Sequence, residues 1–401
     1  MDTTPDNLDT GTAPKGQSVL LAMSWYDHRT HLGISRFAKK HGWRVDARMA
    51  NSTEMAWGWK GDGVITKIGC SAIDDDLYTF ISKLDCPTID LSVFGPDLGY
   101  PAIEFDPKQI GALAADHFIE RGFTHFAWFP EIDSLPAQTR RDGFIDAIAS
   151  RCESQVHRIP LPNSESKVTD WEADEQELGA RLNQLPKPVA VMCFNDEWGS
   201  RIIRACEAAG LQIPEDVAVL GVDDNQLICE HLPITLSSVQ LDLEYWGTVA
   251  AQRLAELMAK DDLPEKSPAT IEFIAPRGIS VRQSTDVISV EHPDVLAAAK
   301  FIADQYHRPI NATDVIEQSR LSASGLKQAF RKSLGRTIND EIRRVRYERT
   351  RKLLTETDWT LERIAEDVGL NDTRTLHRLF KHFRDETPTE YRKRFMHESS
   401  G

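Results

Sequence analysis

Cysteine is scarce in this chain of 401 residues: Cys70, Cys86, Cys152, Cys193, Cys206 and Cys229 each stand alone. With no CxxC pair and no histidine at matching spacing, a zinc finger and a disulfide frame are excluded, and reduced core residues are what remains. His28 and His31 fall one helical turn apart, but two histidines do not complete a metal site. No apolar run approaches the ~20 residues of a membrane helix. The opening MDTTPDNLDTGTAPKGQ lacks the basic and apolar regions of a secretory signal, so residues 1–16 read as a disordered tail on a cytoplasmic protein. The sequence also lacks GxSxG, HExxH, GxGxxG and a P-loop, the usual carriers of a nucleophile, a metal set and a phosphate cradle. A binding protein without a cofactor fits these absences better than an enzyme.

Positive charge is short as well, with 47 basic residues against 62 acidic ones. The deficit is uneven. From Val287 onward there are 21 basic and 18 acidic residues, a surplus of three, while the rest of the chain holds 26 and 44. A chain of this length divides into two or three domains, and the charge places the acidic part in front of a separate, near-neutral one.

That last part has an internal repeat. In Thr360–Arg392, Leu361, Ile364, Ala365 and Val368 recur at helical spacing behind a Thr360 cap, and Gly369 supplies the turn. A second helix restarts after Asn371 or Asp372, with Leu376, Leu379, Phe380 and Phe383 as its apolar stripe. Thr373, Arg374, Arg378 and Lys381 belong to its start and its opposite face. Asn311–Gly335 repeats the arrangement: Leu326, Ala329 and Phe330 point inward, and Ser324, Lys327, Gln328 and Arg331 lie outward or flank that face. Between the units, Ile338–Leu354 reads as a helix of roughly 25 Å. Ile342, Val345, Leu353 and Leu354 form its inner side, and Arg343, Arg344, Arg346, Arg349 and Arg351 fall largely on the others. Two short helix pairs with exposed cations, held near the ~34 Å of one DNA turn, suit adjacent major-groove segments.

Residues 17–285 alternate apolar runs with amphipathic stretches, the rhythm of βαβ units and a parallel sheet. SVLLAMS, GDGVIT, CPTIDLS, AIEFD, HFAWFP, VAVMCFN and VAVLGVD read as strands. The helices between them are expected near 31–41, 74–84, 107–120, 142–149 and 199–209. Ligands of open α/β sheets lie at the carboxyl ends of strands. Those ends carry Trp25, Tyr26 and Asp27, then Asn195 and Asp196, then Asp223 and Asp224, while Arg140 stands on the approach to a helix. Carboxylates, an amide, a guanidinium and an aromatic face suit the hydroxyls and C–H faces of a sugar. Any one of these Asp and Asn residues serves equally well as a helix cap.

IAEDVGL, RLFKHF and TPTEYR, in this order and spacing, resemble the AraC-type DNA-binding domain. Leu370 and Leu376 stand where that family often has aromatics, and Asp385-Glu386 replaces a common glycine. RRDGF, CFNDEWG, LQIPEDVAVLGVDD and LPITLSSV resemble the sensor domain of LacI/GalR-type repressors. That resemblance implies sugar contacts at Arg140, Asn195, Asp196 and Asp223. It also implies two lobes, joined by crossings near Phe105-Asp106, 236–240 and 268–270. LacI-type proteins carry their DNA domain in front, whereas here it follows the sensor. With APRGISVRQSTD and HPDVLAAAKFI at the junction, the whole chain is similar to the xylose regulators of bacteria. The resemblance implies a two-lobed, periplasmic-binding-protein-like α/β sensor at 17–285 and an all-α domain with two helix-turn-helix units at 286–401. Expected partners are double-stranded promoter DNA, a sugar effector such as xylose, a second copy of the chain and RNA polymerase, with no membrane. An activating role on pentose genes is expected; another monosaccharide, or repression, is the alternative.

Overall fold

The computed structural model describes residues 16–50, 54–69, 72–92, 99–131, 135–162, 171–260, 270–287, 289–290, 292–383 and 386–396. Residues 1–15, Cys70 and Asp385 lie outside these, as do positions 268 and 269 of the third expected crossing. None of the helices is long and apolar enough to cross a membrane, among the described residues.

The first lobe starts with β1 (Ser18–Met23), α1 (His28–His41), β2 (Arg44–Asp46), β3 (Gly63–Lys67), α2 (Ala72–Ser82), β4 (Thr88–Asp90) and β5 (Ala102–Phe105). The chain then crosses to a second lobe at Asp106, whose side chain caps the next helix by accepting from the Lys108 and Gln109 amides. This lobe holds α3 (Pro107–Glu120), β6 (His125–Glu131), α4 (Leu135–Ala149), β7 (Val156–Pro160), α5 (Trp171–Asn183), β8 (Val189–Cys193), α6 (Asp196–Ala209), β9 (Val217–Val222), α7 (Gln226–Cys229) and β10 (Ser237–Gln240). A return brings α8 (Leu243–Met258) and β11 (Ile271–Ile274) to the first lobe, and β12 (Gly278–Ser280) closes the second.

Each lobe has one six-stranded sheet, ordered β11-β5-β4-β3-β1-β2 in the first and β12-β10-β9-β8-β6-β7 in the second. All pairings are parallel except β10 with β12. VAVMC of β8 and VAVLGV of β9 are buried along their whole length, as strands covered by helices on both faces must be. Because β11 pairs with β5, the third crossing follows Ile274 and does not fall near 268–270. Arg140 lies inside α4, which begins seven residues before the expected helix start at 142.

The all-α part contains α9 (Pro293–Gln305), α10 (Ala312–Ile316), α11 (Ala323–Leu334), α12 (Ile338–Glu356), α13 (Leu361–Asp367), α14 (Thr373–Phe383) and α15 (Pro388–Met396). Two cores divide it. Val295, Ile302, Leu326, Phe330, Ile342 and Val345 fill the first; Tyr347, Leu354, Ile364, Leu376, Phe380 and Tyr391 fill the second. α12 thus gives its first half to one unit and its second half to the other. Capping boxes at Asn311/Asp314 and Thr337/Asp340 satisfy the first amides of α10 and α12. At the second unit's turn Gly369 has φ 71°, and a Cβ there would stand 2.5 Å from the Tyr306 carbonyl oxygen, so no side chain fits.

Two expectations for this part need correction. Arg344 does not face outward: it is buried, donating to Glu341 at 2.8 and 2.9 Å and to Glu348 at 2.5 Å. Arg346 donates to the Tyr306 and Arg308 carbonyls and Arg351 to the Tyr391 hydroxyl, which leaves Arg343 and Arg349 exposed. The reason is Glu341, fully buried one turn before Arg344, since an interior carboxylate must be paired. Phe383, expected in the buried stripe, is exposed at its edge and stacks on Tyr347 at 4.6 Å.

Between the second lobe and the helical domain lies a cavity of about 1610 Å³, with Arg121, Arg282, Lys300, Arg344, Glu348 and Arg351 among its lining residues.

Candidate ligand cleft and nucleic-acid interface

The strand ends of the two sheets face one another. On the second lobe, β9 ends in Asp223 and Asp224, both non-glycine residues at positive φ, 107° and 49°. Such a conformation costs on the order of 1–3 kcal/mol and persists only where neighbours enforce it. Asp224 provides the enforcement: its amide donates to Ser238 Oγ, and its carboxylate accepts from Arg282, Ser280 and Gln240. The Asp223 carboxylate, by contrast, receives no hydrogen bond from any described side chain. Burial raises its pKa, opposed by the charges of Arg140, Arg29 and Lys67.

Arg140 reaches the same place from α4. One Nη donates to the Phe194 carbonyl, the guanidinium lies 4.7 Å over the Phe194 ring, and the buried Nε has no partner. Burial lowers its pKa while Asp223, Glu104 and Asp196 pull it back. A buried fork with one unpaired N–H beside an unpaired carboxylate is a site short of a ligand's hydroxyls.

Asn195 and Asp196 serve the fold first. Asn195 caps α6 by accepting from the Trp198 amide at 3.1 Å. Asp196 is 1% exposed, and its two oxygens accept from Ser238 Oγ at 2.6 Å and the Asn225 amide at 2.7 Å, tying the start of α6 to β10 and to the start of α7. Of this pair, only the Asn195 amide nitrogen is left to meet a ligand. On the first lobe, Asp27 caps α1 and is gripped by Arg29 at 2.9 and 3.1 Å. Trp25 is 41% exposed, and the Tyr26 hydroxyl is 3.0 Å from His31 Nδ1.

The sequence reading missed four first-lobe residues. Arg29 crosses the gap, donating from Nη1 to the Asp223 and Asp224 carbonyls at 2.9 and 3.3 Å. Lys67, Asp90 and Glu104 end or interrupt β3, β4 and β5. Asp90 accepts from the Ser92 amide and hydroxyl, and its burial pushes its pKa up to about 7. The available signal was a single charge inside or at the end of an otherwise apolar strand, as in GVITK and AIEF.

In the helical domain, α14 presents Arg374, Arg378 and Lys381 exposed and Thr373 half-buried, opposite buried Leu376, Leu379 and Phe380. Asp372 caps this helix through the Thr375 amide at 2.6 Å, and Arg378 is steadied by Thr375 Oγ1 at 3.1 Å. On α11, Ser324, Lys327, Gln328 and Arg331 are all exposed, opposite buried Leu326 and Phe330. Donors on the outer face of the second helix of each pair match the way a helix-turn-helix meets a major groove.

Comparison with known proteins agrees with both halves. Residues 115–285 match a periplasmic binding protein-like domain and residues 316–394 a helix-turn-helix domain. The xylose operon regulatory protein of Escherichia coli K12 is 26% identical over 341 residues, covering 83% of this chain and 84% of that one. Its Haemophilus influenzae counterpart is 27% identical over 301 residues, 73% of this chain and 75% of the other. A solved xylose-binding transcription activator shares the fold over 95% of this chain and 98% of its own, at 24% identity and TM-score 0.57. A ribose-bound LacI-family regulator from Enterococcus faecium covers 68% of this chain and all of its own, at 22% identity and TM-score 0.53. By both of its domains and by their order, the chain is similar over most of its length to the xylose operon regulatory proteins: a periplasmic binding protein-like domain followed by a helix-turn-helix domain, the make-up of a sugar-responsive DNA-binding regulator.

Proposed function

We propose that this chain is a cytoplasmic transcription regulator that binds promoter DNA with both helix-turn-helix units and a monosaccharide between its lobes. The observation that carries the reading is the juxtaposition of Asp223 and Arg140, two half-buried and incompletely bonded groups in the cleft, on a chain with two exposed donor faces in its helical domain. Two relatives named as xylose operon regulators support a pentose, and xylose first among them. The solved activator supports activation, which requires contact with RNA polymerase. Asp223, Arg140, the Asn195 amide and the exposed Trp25 form the sugar contacts in this reading. Two copies of the chain place four helix-turn-helix units on one promoter.

A thermal-shift screen of D-xylose, L-arabinose, D-ribose and D-glucose tests the sensor, because ligand at ~100 Kd adds ~2.7 kcal/mol of stability. Promoter binding with and without the hit then tests the switch. Duplex binding that does not weaken as salt rises would remove the DNA role.

A further inference from the structure

The wall opposite Asp223 and Arg140 contains a cation that the fold does not use. Lys67 ends β3, and its Nζ lies 4.2 Å from the centroid of the Trp25 ring and 4.6 Å from that of Trp246. Trp246 is fixed, since it is buried and its Nε1 donates to the Ile103 carbonyl at 2.9 Å. Among the described residues the Lys67 ammonium has neither a hydrogen-bond acceptor nor an ion-pair partner. Ring faces help to hold a cation but offer its three N–H groups no lone pair. Burial lowers the pKa of Lys67, while the fields of Glu104, Asp223, Asp27 and Asp90 support its charge.

The charges around it can be sorted by what they already bond. Asp27 is taken by Arg29, Asp90 by Ser92, and Asp196 by Ser238 and Asn225. The Glu104 carboxylate accepts only from the adjacent Phe105 amide at 2.8 Å, and the Asp223 carboxylate from no described side chain. Left for a ligand are two cations, Lys67 and Arg140, and two carboxylates, Glu104 and Asp223, drawn from both lobes. A neutral polyol supplies acceptors to the first pair and donors to the second without changing the total. A carboxylate or phosphate would bring an extra negative charge into a largely desolvated site whose two free cations are already matched by two carboxylates.

We infer that Lys67 is the first lobe's donor to the effector, and that Lys67, Arg140, Glu104 and Asp223 together select an uncharged sugar over its acid or phosphate. This rests on the reading that the cleft holds a monosaccharide. Trp25 then has two duties, steadying the ammonium and offering its exposed ring to the sugar.

Calorimetry on the full chain with D-xylose and D-xylonate is the test. Wild type should bind the sugar and show the acid at least about a hundredfold weaker, because an unpaired buried charge costs several kcal/mol. Lys67→Met should lose about tenfold or more for the sugar, the size expected for charge-assisted bonds. Lys67→Met/Glu104→Gln leaves no orphan charge, so it folds even where the single variant does not. Wild-type affinity in this double variant would mean that Lys67 only balances Glu104, and would overturn the assignment. Equal binding of xylose and xylonate by wild type would overturn the selection. If wild type binds none of the screened sugars, the effector reading itself falls, an outcome separate from both.

Discussion

Arg121 at the end of α3 and Glu348 in the middle of α12 stand 3.7 Å apart, an ion pair that joins the second lobe to the helix shared by both helix-turn-helix units. Arg121 is 3% exposed, and it also donates to the Thr285 carbonyl at 3.0 Å and the His117 carbonyl at 3.3 Å. Thr285 Oγ1 in turn donates to Ser237 Oγ at 2.8 Å, and His117 Nε2 lies 2.9 Å from the same hydroxyl. Ser237 precedes Ser238, the residue that holds Asp196 at the cleft end of β8. A bonded series therefore runs from the cleft's floor to α12.

Glu348→Gln should therefore separate the two binding events. Burial alone would raise the Glu348 carboxyl, but Arg344 and Arg121 hold it below its ordinary range, so it is ionised and structural. The variant should keep sugar affinity within about twofold of wild type, while the sugar's effect on promoter affinity, typically 1–3 kcal/mol of coupling, shrinks toward none. Promoter titrations at zero and saturating sugar check this, and an unchanged sugar response would assign the coupling to another contact.

Removing a sugar-facing group should do the reverse. Asp223→Ala and Arg140→Ala are expected to weaken the sugar by about tenfold or more each, at ~1.5–3 kcal/mol per charge-assisted bond, and to leave sugar-free promoter binding intact. Calorimetry with unaltered affinity in both would place the effector elsewhere.

Arg378 is exposed on α14 and steadied by Thr375, so it is preorganised to meet a base edge. Arg378→Ala should relax sequence preference by ~1–3 kcal/mol at one position in a selection assay. A uniform loss over all sequences would mark it as a phosphate contact. α11 should cover a second major-groove segment about one turn away, so a footprint of one segment per chain would remove Ser324, Lys327, Gln328 and Arg331 from the interface.

Acid should unfold the helical domain partly through Glu341. Burial opposes its charge, yet Arg344 and Arg336 bring its pKa from an ordinary 4.5 to about 2. A carboxylate depressed by folding stabilises fully above its unfolded pKa, and loses that contribution as pH falls from 4.5 through 2. The amount is on the order of 3 kcal/mol. Glu341→Gln should be less stable at neutral pH, and its deficit against wild type should close over that window. Denaturant titrations at several pH values would show a pH-independent gap if the ion pairs were unimportant.

Much of this architecture was legible because it is locally written. Buried parallel strands read as apolar runs, and α3 was bounded at 107–120 by an Asp-Pro start and a following glycine. Among the segments passed over, β7 and α5 carry weak patterns: β7 is mostly exposed, and α5 buries only Leu178, Gly179 and Leu182. The five arginines of α12 read from sequence as surface because charge usually is. The spacing of Glu341, Arg344 and Glu348 was the overlooked sign that some are interior. In the cleft, Asp223 and Arg140 stand in recognisable strings. Lys67 and Arg29 acquire meaning only from residues that the fold brings to them, Trp246 in one case and the Asp223 carbonyl in the other. Contacts across that much sequence leave no local pattern.

The bonds from Arg29 to the Asp223 and Asp224 carbonyls have a kinetic consequence. They join one lobe to the other without a ligand atom between them, so on the proposed reading a sugar held in the cleft would leave only after the protein breaks its own clasp. Departure is then timed by that opening, which is the same for every sugar, and related sugars would differ in how often they are recaptured before the lobes part. Residence on the regulator, and with it the persistence of a response after the sugar is withdrawn, becomes a property set by one arginine.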